Sequence, residues 1–130
     1  MEQNTMPLFS KIHKIYGGHV LLTLIGLVIL TVLFAGPKPV LQRITAVLVD
    51  INIVIGLIAL FLSHKSISAL HPLMALVAVA LLHVAAKSDN KAKVLICYSI
   101  ALVALITAWA INAQNWGPAI LKGHLMLPAL

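Results

Sequence analysis

Residues 69–87, Ala69-Leu-His-Pro-Leu-Met-Ala-Leu-Val-Ala-Val-Ala-Leu-Leu-His-Val-Ala-Ala-Lys87, form an apolar run with a histidine near each end, His71 and His83. Pro72 does not break it, because in a first helical turn its missing N–H costs no bond. Twelve residues separate the two imidazoles, about 18 Å along a helix axis. Such a helix approaches both faces of a bilayer. Ionisable groups in hydrocarbon are costly, and those that persist there usually have a function. The run therefore reads as a membrane helix that offers imidazoles to a cofactor.

Composition carries that reading to the whole chain. The 130 residues are 62% hydrophobic and only 9% charged, against about half and a quarter in soluble domains. One domain is all that this length supports. The formal charge of +6 comes from nine Lys and Arg against Glu2, Asp50 and Asp89. Those cations fall in the gaps between apolar runs, where they meet lipid headgroups and set topology, so no nucleic-acid partner is expected. Cys97 is the only cysteine, which leaves no intrachain disulfide or cysteine-built metal site; in an apolar run it reads as a packing residue. The first apolar run is too long for a cleavable signal core.

Working outward, residues 1–10 read as an interfacial lead and Lys11-Ile-His-Lys-Ile-Tyr16 as entry at headgroup level. Spans are predicted at about 17–35, 44–63, 71–86 and 94–112, with an interfacial tail over 113–130. Gly36-Pro37-Lys38-Pro39 stops the first span, glycine suiting the C-terminal cap and proline unable to continue a helix. Trp109 and Trp116 fit an interfacial aromatic anchor. Spans near 19 residues match the hydrocarbon thickness, and short connections make neighbours antiparallel. The expected fold is all-α: an integral-membrane four-helix up-down-up-down bundle in an energy-transducing membrane such as the cell's inner or plasma membrane. Both termini then lie on one side, face one, together with the second connection. Face two carries Lys38, Arg43, Lys87, Lys91 and Lys93, and the compact Lys87–Lys93 cluster tips it toward the cytoplasm.

His19 and His71 open the first and third spans, so antiparallel threading brings both close to face one. Two neutral imidazoles on different helices can ligate one haem iron from opposite sides. Gly26 lies seven residues after His19, nearly on its face, where a missing side chain leaves room for a flat macrocycle. His13 and His64 are competing face-one ligands at span ends, and His124 lies in the tail. The plainer alternative is that glycine and alanine serve close helix packing while the histidines sit among headgroups.

Toward face two, Asp50, His83 and Tyr98 fall within about a helical turn of one another in depth. An Asp–His pair shares the cost of burial, and the phenol adds a hydrogen bond. This cluster reads as a proton-relay or quinone-headgroup site, with an interhelical clamp as the alternative.

Lys11-Ile-His-Lys-Ile-Tyr-Gly17 resembles the His-Arg-x-x-Gly entry near the first membrane helix of succinate dehydrogenase anchor subunits and several b-type cytochromes. Lys14 stands where that pattern has arginine. Four short spans with His71-Pro-Leu-Met74 opening the third are also similar to a small cytochrome b or one half of haem A synthase. The resemblance implies haem b held between helices by histidines at their ends, with His13, His19 and His71 as the matching positions. The expected function is a haem b-binding electron-transfer subunit of a respiratory or photosynthetic redox complex, exchanging electrons with quinone, rather than a free-standing enzyme. The alternatives are a non-haem accessory subunit that packs on a larger membrane complex and contacts lipid, quinone or chlorophyll, and a small proton-coupled transporter centred on Asp50.

Overall fold

The structure, a computed structural model, describes residues 8–63 and 67–112. His64, Lys65, Trp116, Lys122, His124 and the rest of the 113–130 tail lie outside the described residues. What is described is helical: α1 (Leu8–Ile15), a π segment (Tyr16–Leu21), α2 (Leu22–Ala35), α3 (Pro39–Ser63), α4 (Leu70–Ala85) and α5 (Lys91–Asn112). The first three form one continuous rod over Leu8–Ala35, so residues 8–16 continue the first helix instead of forming a separate lead. Three helical stretches are long and apolar enough to cross a membrane: Leu8–Ala35, Pro39–Leu62 and Lys91–Ile111, with hydropathies of 2.4, 2.5 and 2.4. At 16 residues, α4 is about 24 Å long, short of the roughly 30 Å hydrocarbon core.

Local chemistry sets the helix ends. Gly36 adopts φ +77°, and its N–H closes α2 on the Val32 carbonyl at 3.1 Å; only glycine takes that conformation without strain. Pro39 then occupies the first position of α3, where proline is tolerated. Within the helices, Thr31, Thr45 and Thr107 each turn the hydroxyl back to the carbonyl four residues earlier at 2.8 Å. These three hydroxyls thereby find an acceptor within their own helix.

Small residues line the tightest helix contact, and the large aliphatics divide between the core and the outer surface. Ala78, Leu82 and Ala85 of α4 meet Val94, Ala101 and Ala104 of α5 in the buried core, and this is the most extensive helix pair. The small side chains let the two backbones approach closely. The rod contributes Leu21, Ile25, Val28 and Val32 at helical spacing, α1 packing mainly on α3 and α2 mainly on α5. Leu27, Leu30, Phe34, Val47, Val54, Leu76, Ile100 and Val103 face outward. An apolar exterior this continuous is untenable in water and suits lipid.

A polar latch ties the helices together at the end where α2 and α4 finish and α3 and α5 begin. Gln42 is fully buried; its side-chain N–H groups donate to the carbonyls of Ala85 (2.8 Å) and Ser88 (3.1 Å), and its Oε1 accepts from the Lys38 N–H (2.7 Å). Tyr98, also buried, donates its hydroxyl to the Gln42 carbonyl at 2.9 Å. Lys91 donates from Nζ to the Leu33 carbonyl at the end of α2, 2.8 Å away. Replacing Gln42 by Leu is predicted to destabilise the protein by about 1–3 kcal/mol, since it strands buried partners, whereas Tyr98→Phe should cost about 0.5–1.5 kcal/mol. Thermal unfolding in detergent, followed by circular dichroism, checks that order.

Candidate functional site

Both glycines of the π segment are needed for contact. A Cβ on Gly17 would lie 2.6 Å from Asn52 Nδ2 on α3, and one on Gly18 would lie 2.9 Å from Trp109 Nε1 on α5. The rod thus touches α3 with one residue and α5 with the next. The wider π turn supplies the extra residue this demands, and such single turns recur at functional sites.

One turn earlier the fit is reciprocal. The His13 ring sits over Gly56, where a Cβ would meet its Cε1 at 2.6 Å, while Asn52 occupies the notch at Gly17. His13 and Gly17 are four residues apart, as are Asn52 and Gly56, so each helix offers a side chain and a gap on the same face. His13 completes the joint by donating its Nδ1–H to the Asn52 backbone carbonyl at 3.0 Å. On the neighbouring helix pair, His71 donates its Nδ1–H to the Ala108 carbonyl at 2.8 Å. A carbonyl only accepts, so each bond fixes the proton on Nδ1 and leaves the Nε2 lone pair available in the neutral ring.

The two rings face one another, with centroids 6.0 Å apart and planes at 81°. They border a cavity of about 390 Å³ whose polar lining also includes Lys14, His19, Asn52 and Trp109, with Val49, Ala75 and Leu105 among its apolar walls. Asn52 is 8% exposed, and its Oδ1 has no hydrogen-bond partner. A buried acceptor of that kind is costly unless something donates to it.

The ring partner of His71 is thus His13. His19 lines the same cavity from an exposed position in the π segment. Gly26 is not among the cavity-lining residues, and a Cβ there would meet nothing within 4 Å. Among the described residues no group of three or more His, Cys, Asp or Glu side chains gathers around one point. A two-imidazole site is the most these residues provide.

The residues of the other predicted cluster divide. Asp50 Oδ2 and His83 Nε2 lie 2.8 Å apart. Helical side chains lean toward their N-terminus, and with α3 and α4 beginning at opposite ends these two lean toward each other. The pair is not enclosed: the side chains are 40% and 49% exposed on the lipid-facing surface. Tyr98 does not join it, because its hydroxyl is committed to Gln42, eight residues from Asp50 along α3.

Sequence reasoning gave no role to Gln42, which precedes the predicted 44–63 span, and weighed Asn52 only beside Asp50 and not beside His13. Each is an uncharged amide, and only the partners brought by the fold distinguish it from a polar residue at a headgroup.

No family model, curated protein or solved structure matches the chain.

Gly56→Ala and Gly17→Ala are each predicted to loosen α1 from α3, at about 1–3 kcal/mol for overpacking. Gly26→Ala, with open space around it, should be neutral or slightly stabilising. Amide hydrogen exchange over residues 8–21 reads the difference: faster in the first two variants, unchanged in the third.

Proposed function

We propose that this chain is a haem b-binding electron-transfer subunit of a respiratory or photosynthetic membrane complex, in which His13 and His71 would hold the haem. The observation that carries the reading is two imidazoles on different helices, 6.0 Å apart, each giving its Nδ1–H to a backbone carbonyl. Neutral imidazoles with Nδ1 engaged by carbonyls would hold a haem iron through Nε2. The carbonyl bonds supply the outer support that fixes tautomer and orientation and raises ligand basicity. Of the two first-helix histidines, the ring contact favours His13 over His19 as partner. The cavity fits the group in character, with apolar walls, a close backbone approach at Gly17 and Gly18, and Lys14 at its border for an anionic substituent. Bound there, haem supplies one-electron chemistry, and the protein supplies ligation, orientation and a low dielectric.

The architecture that goes with this reading is the up-down-up-down bundle across the bilayer. It is supported by the latch joining Leu33, Gln42, Ala85 and Lys91 from four helices at one end. The cavity lies toward the other end, where α4 begins and α5 finishes. The short α4 reaches the headgroups through bilayer thinning or tilt of its neighbours.

His71→Ala and His13→Ala are each expected to lower the haem retained per chain at least about tenfold, the lower range for losing ligand support. His19→Ala should leave the reduced-minus-oxidised spectrum unchanged. Loss of haem in His19→Ala with retention in His13→Ala would reverse the assignment. Loss of assembly with no cofactor in any variant would favour the accessory-subunit reading.

Quinone exchange is a second element of the proposal, favoured by a polar pair open to lipid. Asp50 accepts the Nε2–H of His83 at 2.8 Å, which leaves the Nδ1 lone pair to take a proton from a quinol hydroxyl. Asp50→Asn is expected to slow reduction by a short-chain quinol by roughly 10²-fold without altering the haem spectrum. An unchanged rate would assign the pair to a structural clamp.

A further inference from the structure

Five exposed cations crowd the end of the molecule that the Gln42 latch draws together. Lys38 and Arg43 flank the start of α3, and Lys87, Lys91 and Lys93 flank the start of α5. The bonds from Gln42 to Ala85 and Ser88, and from Lys91 to Leu33, bring the two connections into one surface. Asp89 is its only acidic residue, and among the described residues none of the five cations reaches a carboxylate.

The charge has the wrong sign for the helices it sits on. A helix N-terminus carries roughly half a positive charge and favours acidic side chains. Yet α3 and α5 have no acidic residue in their first turns, and α5 places Lys91 and Lys93 there. Two positive helix ends and five cations repel one another unless anions come from outside the chain. The surface lies at the edge of an apolar belt that fits lipid, so the anions within reach are headgroup phosphates. Juxtamembrane Lys and Arg clusters are drawn to anionic leaflets for this reason.

We propose that this end is a docking surface for anionic phospholipid headgroups, formed jointly by the 36–43 and 86–93 connections. Bound phosphates neutralise the two helix starts and fix this end in the more anionic leaflet. The positive-inside tendency makes that the cytoplasmic side. The inference is independent of the haem reading.

The test is competitive lipid retention. Purified protein in detergent is titrated with phosphatidylglycerol and phosphatidylcholine, and adducts are counted by native mass spectrometry. Wild type is expected to prefer phosphatidylglycerol. The triple variant Lys87→Gln/Lys91→Gln/Lys93→Gln should lose roughly 100-fold of that preference, about fivefold for each of the three cations near an anionic surface. Lys38→Gln/Arg43→Gln, which leaves the Lys91–Leu33 bond intact, should lose part of it and guards against a folding defect in the triple variant. Lys11→Gln/Lys14→Gln should keep it. Equal binding of the two lipids by wild type would overturn the proposal, as would equal loss in the Lys11/Lys14 variant. Displacement of the lipid by millimolar inorganic phosphate would also overturn it, marking a site for free anions.

Discussion

A partly buried imidazole gains from giving its N–H to an acceptor, and in this chain helix backbones supply those acceptors. His13 reaches the Asn52 carbonyl and His71 the Ala108 carbonyl. Both are helical carbonyls approached from a neighbouring helix, which is possible only where the helices come close. That closeness is set by the missing side chains of Gly17 and Gly56 on one pair and by Ala101, Ala104 and Ala108 on the other. Each histidine is therefore oriented by the packing of the helix pair that carries it. The two pairs together determine where the rings meet. The π segment lets one rod serve both α3 and α5, so His13 and the core residues of α2 can face inward together.

The same economy governs the rest of the interior. Hydrocarbon offers no water to satisfy a stray polar group, and the buried polar residues act as connectors between helices. Gln42 joins the start of α3 to the end of α4 and to the connection that follows it, and Tyr98 of α5 is drawn to the same point. Many bulky aliphatics face outward because lipid solvates them as well as a core would, while buried alanines let α4 and α5 approach closely. Against that background Asn52 Oδ1 and the Asp50–His83 pair stand out, the first buried without a donor and the second open to the hydrocarbon.

Much of the helical layout is legible from residues 69–87 outward. Long apolar runs, the Gly36-Pro37 stop and the position of Pro72 follow from the physics of lipid and of helix ends, which is local. The depth argument that placed Asp50 near His83 also works, because rise per residue is fixed. Choosing among histidines is harder. His13 sits four residues before Gly17, and its role depends on Gly56 of another helix offering a notch at the same level. The widened turn at Tyr16–Leu21, which sets how α1 faces, has no signal beyond the Gly17-Gly18 pair. Tyr98 has the depth for Asp50 but the azimuth for Gln42, and azimuth between helices is a tertiary property that no run of residues encodes alone.

On the proposed reading His13 and His71 would hold one haem iron, and their rings stand nearly perpendicular, at 81°. Low-temperature electron paramagnetic resonance of the oxidised protein tests it most directly. Perpendicular imidazole planes keep two iron d orbitals close in energy, giving a low-spin signal with one very large g value; near-parallel planes split them and give a rhombic signal. The strongly anisotropic low-spin signal is expected in wild type and its loss is expected in His13→Ala. A high-spin signal in the intact protein, or a low-spin signal that survives removal of His13, would contradict it.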